Sequence, residues 1–308
     1  MPPSPDAVNA MNRSTLLHLL LTALSLLPLA VMHRLGAALG PWLTRPGSRS
    51  GDVLRRNLAI CFPDLPEAER ATLTHAAQRE FGRQVLEVPA LFRRPVAELL
   101  SRVERVEGAE VLDAAYRRGR GVIIAAPHLG SWELLNLWVA RHYPLHFLYR
   151  PPRQPALEPI MVAARNRGGG RALPANTAGL RALYKALRAG DVVGILPDQE
   201  PPEEEGRFAP FFGRPALTMD LPVKLAARQR APVVFGYARR LARGGRWVIR
   251  FRPAPAAIHA SDAAEALAAL NEGVEACVRE VPEQYLWAYK RFAHAPPGWA
   301  RAYPRRRR

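Results

Sequence analysis

Residues 121–133 read Gly-Val-Ile-Ile-Ala-Ala-Pro-His-Leu-Gly-Ser-Trp-Glu, an apolar strand-like run that passes through a turn into a helical pattern. A histidine and a carboxylate stand five positions apart at that turn. On one continuous helix residues i and i+5 point about 140° apart, so His128 belongs to the turn and not to the helix. Gly130 can supply an unusual backbone conformation there, and Ser131 is placed as an N-cap whose hydroxyl accepts from first-turn amides. Glu133 then falls in the first helical turn and can reach back toward the imidazole. The positive helix end favours a carboxylate and disfavours imidazolium, leaving His128 neutral and able to take a proton while Glu133 orients it. The same spacing also admits a structural histidine followed by an ordinary first-turn glutamate.

On either side of this stretch, short apolar runs alternate with amphipathic segments. Strands are expected at 103–106, 121–126, 145–149, 191–196, 232–239 and 246–251, and helices at 108–119, 131–142, 156–167, 177–189, 216–229 and 262–280. Such alternation predicts an α/β fold, a sheet with helices packed on its faces. Gly244-Gly245 reads as a hairpin between the last two strands, so the sheet is mixed and mostly parallel. Residues 48–93 carry near-helical apolar spacing through Leu73, Ala77, Phe81, Val85 and Val88, the pattern of a helix pair covering the sheet. Residues 168–170 and 201–206 are the best mobile-loop candidates.

Residues 15–32 hold no formally charged side chain; at about 1.5 Å per residue they reach roughly 27 Å, marginally enough to cross a hydrocarbon core. Arg13 precedes this segment, whereas Arg34, Arg45, Arg49, Arg55 and Arg56 follow it, which puts the C-terminal side in the cytoplasm. A cleaved signal peptide and a helix lying on the bilayer are the competing readings. The chain therefore divides into residues 1–44, a tail and single membrane-anchoring helix, and residues 45–308, a cytoplasm-facing domain that ends in the basic tail 305–308.

The net charge of +17 rests on 41 arginines and only three lysines. It suggests a polyanionic partner: nucleic acid, an anionic leaflet, a phosphorylated lipid or an acidic carrier protein. Arginine suits phosphate through bidentate hydrogen bonds. Cys61 and Cys277 have neither zinc-ligand spacing nor a disulfide framework, which fits a reducing compartment.

His128-Leu-Gly-Ser-Trp-Glu133 resembles the His-x4-Asp/Glu signature of glycerolipid-type acyltransferases, in the form used by the late lipid A acyltransferases of Gram-negative bacteria. Further blocks resemble that family's landmarks in the same order: Arg56-Asn57-Leu58 with Cys61-Phe62-Pro63, Tyr149-Arg150-Pro151, Asp198-Gln199, Gly206 with Pro210-Phe211-Phe212-Gly213, Ala216 with Thr218, and Leu286-Trp287 with Lys290-Arg291. The resemblance implies a glycerolipid acyltransferase-like fold and an acyl carrier protein-dependent O-acyltransferase. His128 and Glu133 would be catalytic, without an acyl-enzyme; Gly-Ser-Trp is not a Gly-x-Ser-x-Gly elbow. Arg150 would stabilise the oxyanion or hold a substrate phosphate, Arg165 and Arg167 would bind phosphate, and Asp198 and Gln199 would bind substrate. Asp198 could orient Arg150 or a sugar hydroxyl, or cap a turn. Trp132, Phe211 and Phe212 would pack on the acyl chain or the site loop.

No metal and no cofactor is implied. The donor would be acyl-acyl carrier protein and the acceptor a phosphorylated glycolipid, the 3-hydroxyl of a hydroxyacyl chain on the tetra-acylated Kdo-bearing lipid A precursor. The expected place is the cytoplasmic side of the bacterial inner membrane, single-pass or monotopic, against an anionic leaflet; no nucleic acid is expected. Departures from the family pattern, Pro-Pro-Arg-Gln-Pro after Arg150 and Glu-Pro-Pro-Glu-Glu-Glu after Gln199, leave open another acceptor: a glycolipid, an ornithine-type lipid or a phosphatidylinositol mannoside. A non-catalytic basic protein binding membranes or nucleic acid is the alternative of another class.

Overall fold

The computed structural model describes residues 19–152 and 154–303; the first residues of the expected span, 15–18, and the basic tail 305–308 lie outside the described residues. The strands are β1 (Val103–Glu107), β2 (Val122–Ala125), β3 (Leu145–Tyr149), β4 (Arg171–Pro174), β5 (Val192–Ile195), β6 (Gly206–Phe211), β7 (Arg214–Met219), β8 (Val233–Arg240) and β9 (Trp247–Pro253). The longer helices are α1 (Leu19–Ser25), α2 (Leu29–Leu43), α3 (Arg49–Cys61), α4 (Glu67–Arg93), α5 (Val96–Leu100), α6 (Ala109–Tyr116), α7 (Trp132–His142), α8 (Glu158–Asn166), α9 (Thr177–Arg188), α10 (Leu221–Gln229) and α11 (Ala263–Glu280).

Seven strands form one sheet in the order β1-β9-β8-β2-β5-β3-β4. Its centre, β8-β2-β5-β3-β4, is parallel, and β9 turns back antiparallel to β8 through Gly244-Gly245, both at positive φ. The expected mixed, mostly parallel sheet is thus the one observed. β2 is apolar and buried along its whole length, as a strand with helices on both faces must be. Because side chains alternate, Val122 and Ile124 join a core beneath α2, α6 and α7, while Ile123 and Ala125 join a second beneath α3, α9, α10 and α11.

The helix expected at 216–229 begins only at Leu221. Residues 214–219 instead form β7, which pairs with β6 in a two-stranded hairpin. Phe212 (φ 50°) and Gly213 (φ 72°) make its two-residue turn, the doubly positive geometry that matches strand twist. The buried Asn271 amide donates to the Pro210 carbonyl at 2.9 Å and Arg291 to the Leu217 carbonyl at 2.6 Å, so tertiary partners hold a strand where local pattern suggests helix.

The N-terminal region also differs from a straight span. Among the described residues no single helix is long and apolar enough to cross a membrane; α1 and α2 meet that test only as a pair bent by 109°. Pro28 lies at the break, and a proline disfavours helical backbone in the residue before it. α2 packs on α4 so closely that a Cβ on Gly82 would sit 1.9 Å from the Gly36 carbonyl oxygen. On the inner side of α2, the buried His33 accepts from the Gly245 N–H and donates from Nε2 to Glu87 at 3.1 Å. On its outer side Leu35, Leu39 and Trp42 are exposed, as are Leu26 and Leu27 at the bend.

Candidate active site

β2 and β5 are parallel neighbours, with Ala125 opposite Ile195. Their carboxyl ends, where ligand sites of such sheets form, therefore bring the loops carrying His128 and Asp198 together. Gly130 bends the first loop at φ +61°, and any Cβ there would lie 2.1 Å from the Ala238 carbonyl oxygen. The loop is fastened on two sides: the Ser131 N–H donates to Ala238 at 2.7 Å, and the Gly130 N–H to Gln284 at 3.0 Å. The carbonyl of His128 accepts from the Leu286 N–H, and that of Gly130 from the buried Arg240 guanidinium, both at 3.0 Å.

Asp198, 2% exposed, grips His128 twice. Its carboxylate accepts the His128 backbone N–H at 2.9 Å and the ring Nδ1–H at 2.8 Å. A carboxylate can only accept, so the proton is on Nδ1 and Nε2 carries the lone pair. The Gln199 amide nitrogen lies 3.1 Å from Nε2 and donates to it. Burial pushes the Asp198 carboxyl up, but the positive charge His128 carries once protonated, its hydrogen bonds and the charge of Arg291 outweigh it and hold the group below the usual aspartate range. Asp198 is therefore ionised when the imidazole takes a proton. Trp132 meets the ring edge-on at 4.9 Å between centroids.

The expected contact between Glu133 and the imidazole is not formed; Asp198 takes that place. Glu133 is turned to Arg165, whose Nε donates to both carboxylate oxygens at 3.1 Å, with Nη2 adding a third bond. Ser131 stands at the N-cap but accepts no hydrogen bond from the first turn, and its buried hydroxyl has no partner among the described residues. Arg150 is exposed at the cavity rim. Arg167 lies apart from the cavity and donates to the Leu91, Arg94 and Ala164 carbonyls, tying α8 to the end of α4. Phe211 and Phe212 sit in an aromatic cluster with Phe62, Tyr285 and Trp287 and not on the cavity wall.

His128, Trp132, Glu133, Arg150, Arg165 and Gln199 line one cavity of about 850 Å³, large for a small-molecule site. One stretch of its wall, with Ile124, Leu135, Val139, Leu145, Phe147 and Met161, is apolar. Asn136, Tyr184 and Lys224, which motif reading does not single out, also line it. Helical spacing from Trp132 to Asn136 is the signal that could have found the first of these.

The buried Asp198 and the His128 it holds thus stand at the carboxyl edge of a parallel sheet, with His128 on the wall of a cavity that has a broad apolar stretch. The family model described as bacterial lipid A biosynthesis acyltransferase matches residues 10–294, and the chain belongs to that family. It is 28% identical to the lipid A biosynthesis lauroyltransferase of Escherichia coli K12, over 88% of each chain. It is 28% identical to that organism's lipid A biosynthesis palmitoleoyltransferase, over 88% of this chain and 86% of the relative. A lipid A biosynthesis acyltransferase of Haemophilus influenzae is 27% identical over 87% of this chain and 83% of its own length.

Proposed function

We propose that the protein moves a fatty acyl chain from the thioester of acyl carrier protein to a hydroxyl of a phosphorylated lipid A precursor. The observation that carries this reading is the Asp198–His128 pair, with Nδ1 on the carboxylate and Nε2 beside the Gln199 amide, on the wall of a cavity with a broad apolar stretch. The relatives named for lauroyl and palmitoleoyl transfer add the substrate class.

In the proposed reaction the acceptor hydroxyl displaces the Gln199 amide from Nε2 and gives up its proton there. The forming alkoxide attacks the thioester carbonyl. Asp198 stabilises the imidazolium through Nδ1–H. Arg165, held by Glu133 at the cavity wall, faces the charge on the carbonyl oxygen, so Glu133 acts on the reaction through Arg165. Collapse of the tetrahedral intermediate expels the thiolate, which takes the proton back from Nε2. No acyl-enzyme is invoked: Ser131, three residues along the chain from His128, is 2% exposed and absent from the cavity lining. Arg150 at the rim is available to an acceptor phosphate.

The proposed site of action is the cytoplasmic face of the inner membrane. The exposed Leu26, Leu27, Leu35, Leu39 and Trp42 support it, as does the excess of arginine after the apolar segment. Purified protein incubated with acyl carrier protein thioesters and a panel of acceptors tests the reading. Acylation of the lipid A precursor, lost in His128→Ala, is expected; product from an amino-lipid or mannoside alone would overturn the acceptor assignment.

A further inference from the structure

Strand alternation divides the cavity into two arms across the sheet edge. Phe147 and Leu145 belong to the core beneath α7, whereas Leu148 and Ile195 belong to the opposite one. In the arm beneath α7, beyond the Glu133–Arg165 pair, the lining is apolar except at Asn136 and at Tyr149, whose hydroxyl is already bonded to Glu158 at 2.8 Å. The Asn136 Nδ2 is buried without a hydrogen-bond partner, and the side chain makes no other hydrogen bond among the described residues. Nothing in the helix requires an amide there; leucine is the better helix former and the better match to such walls. Asn136 is three residues past Glu133, about 4.5 Å further along α7, close to the reacting end of a chain lying in this arm.

We propose that Asn136 recognises an oxygen substituent near the carboxyl end of the chain in this arm, making the enzyme selective for a hydroxyacyl donor over an unsubstituted one of equal length. A hydroxyl both donates and accepts, so it pairs with either end of the amide. A site built to bond a hydroxyl rejects the analogue lacking it far more strongly than a methylene-sized mismatch is rejected. This inference rests on the acyl-transfer reading for its donor, and the test separates the two.

The test measures kcat/KM with acyl carrier protein thioesters of matched length, unsubstituted, 2-hydroxylated and 3-hydroxylated, for the wild type and Asn136→Leu. In parallel, the corresponding free fatty acids compete for a fluorescent fatty acid, a readout that needs no turnover. The wild type is expected to favour one hydroxylated chain by about tenfold or more in both assays, and the variant to lose that preference. Asn136→Ala gives the same reading if the leucine disturbs folding. Wild-type values within about twofold for all chains, or variants that slow every donor alike, would overturn the proposal. Selective binding without any transfer would support Asn136 recognition and count against the acyltransferase reading alone.

Discussion

Replacing Asp198 with asparagine perturbs the site with almost no change in shape. In the wild type the carboxylate accepts two hydrogen bonds from His128, at 2.9 and 2.8 Å, in a position 2% exposed. Hydrogen bonds to a charged group contribute about 1.5–3 kcal/mol each. The asparagine oxygen can keep only one of the two acceptor roles well. The other falls to an NH2 group that can only donate, which favours the tautomer with its proton on Nε2 and removes the base from the acceptor side. The variant also lacks the charge that stabilises imidazolium. A loss of about 3–6 kcal/mol of transition-state stabilisation, roughly 10²–10⁴ in rate, follows at about 1.4 kcal/mol per decade. The assay is kcat and KM for acyl transfer, with circular dichroism and thermal melting to confirm the fold. A fall in kcat with little change in KM is expected. Activity within tenfold of wild type in a folded Asp198→Asn protein would refute the assignment of Asp198 as the residue that sets the tautomer of His128.

Glu133→Gln should leave His128 and Asp198 in place but loosen Arg165, reducing kcat about 10–100-fold without lowering the melting temperature; unchanged kcat would remove Arg165 from the proposed oxyanion role. Glu87 is fully enclosed: burial pushes its carboxyl up, but the charge of Arg240 and the hydrogen bonds from His33 and Arg240 bring it down to about 2. Its contribution is therefore fully present above the ordinary glutamate value and is lost as pH falls through that value toward 2, by about 3 kcal/mol in all. Denaturant titrations at a series of acidic pH values should show this loss, and Glu87→Gln should flatten it while costing about 3–5 kcal/mol at neutral pH, because the buried Arg240 loses its two-bond carboxylate and keeps only Glu80 at 3.6 Å and the Gly130 carbonyl. Gly82→Ala should destabilise by about 1–3 kcal/mol through overpacking against Gly36, read as a lower melting temperature. Replacing Leu35, Leu39 and Trp42 with serine should weaken binding to anionic vesicles by more than about tenfold, since each apolar side chain withdrawn from water contributes about 1.5–3 kcal/mol; binding unchanged in flotation would move the membrane contact elsewhere.

Features that depend on neighbours along the chain were legible in the amino-acid order alone. The Val-Ile-Ile strand, the glycine turn that carries His128 and the helix after Ser131 are where the 121–133 stretch puts them. The same local signals located β3, α9, α11 and the Gly244-Gly245 hairpin to within a residue or two. Tertiary structure decided which carboxylate holds the imidazole. Asp198 is 70 positions from His128, and only the parallel pairing of β2 with β5 makes them neighbours; Glu133, five positions away, is drawn off by Arg165 from α8. Packing likewise decided that residues 214–219 extend as a strand held by Asn271 and Arg291, and that the apolar N-terminal stretch breaks at Pro28 so that α2 can settle on the glycine of α4. Local propensity amounts to tenths of a kcal/mol per residue, and buried hydrogen bonds and close packing supplied by distant segments outweigh it.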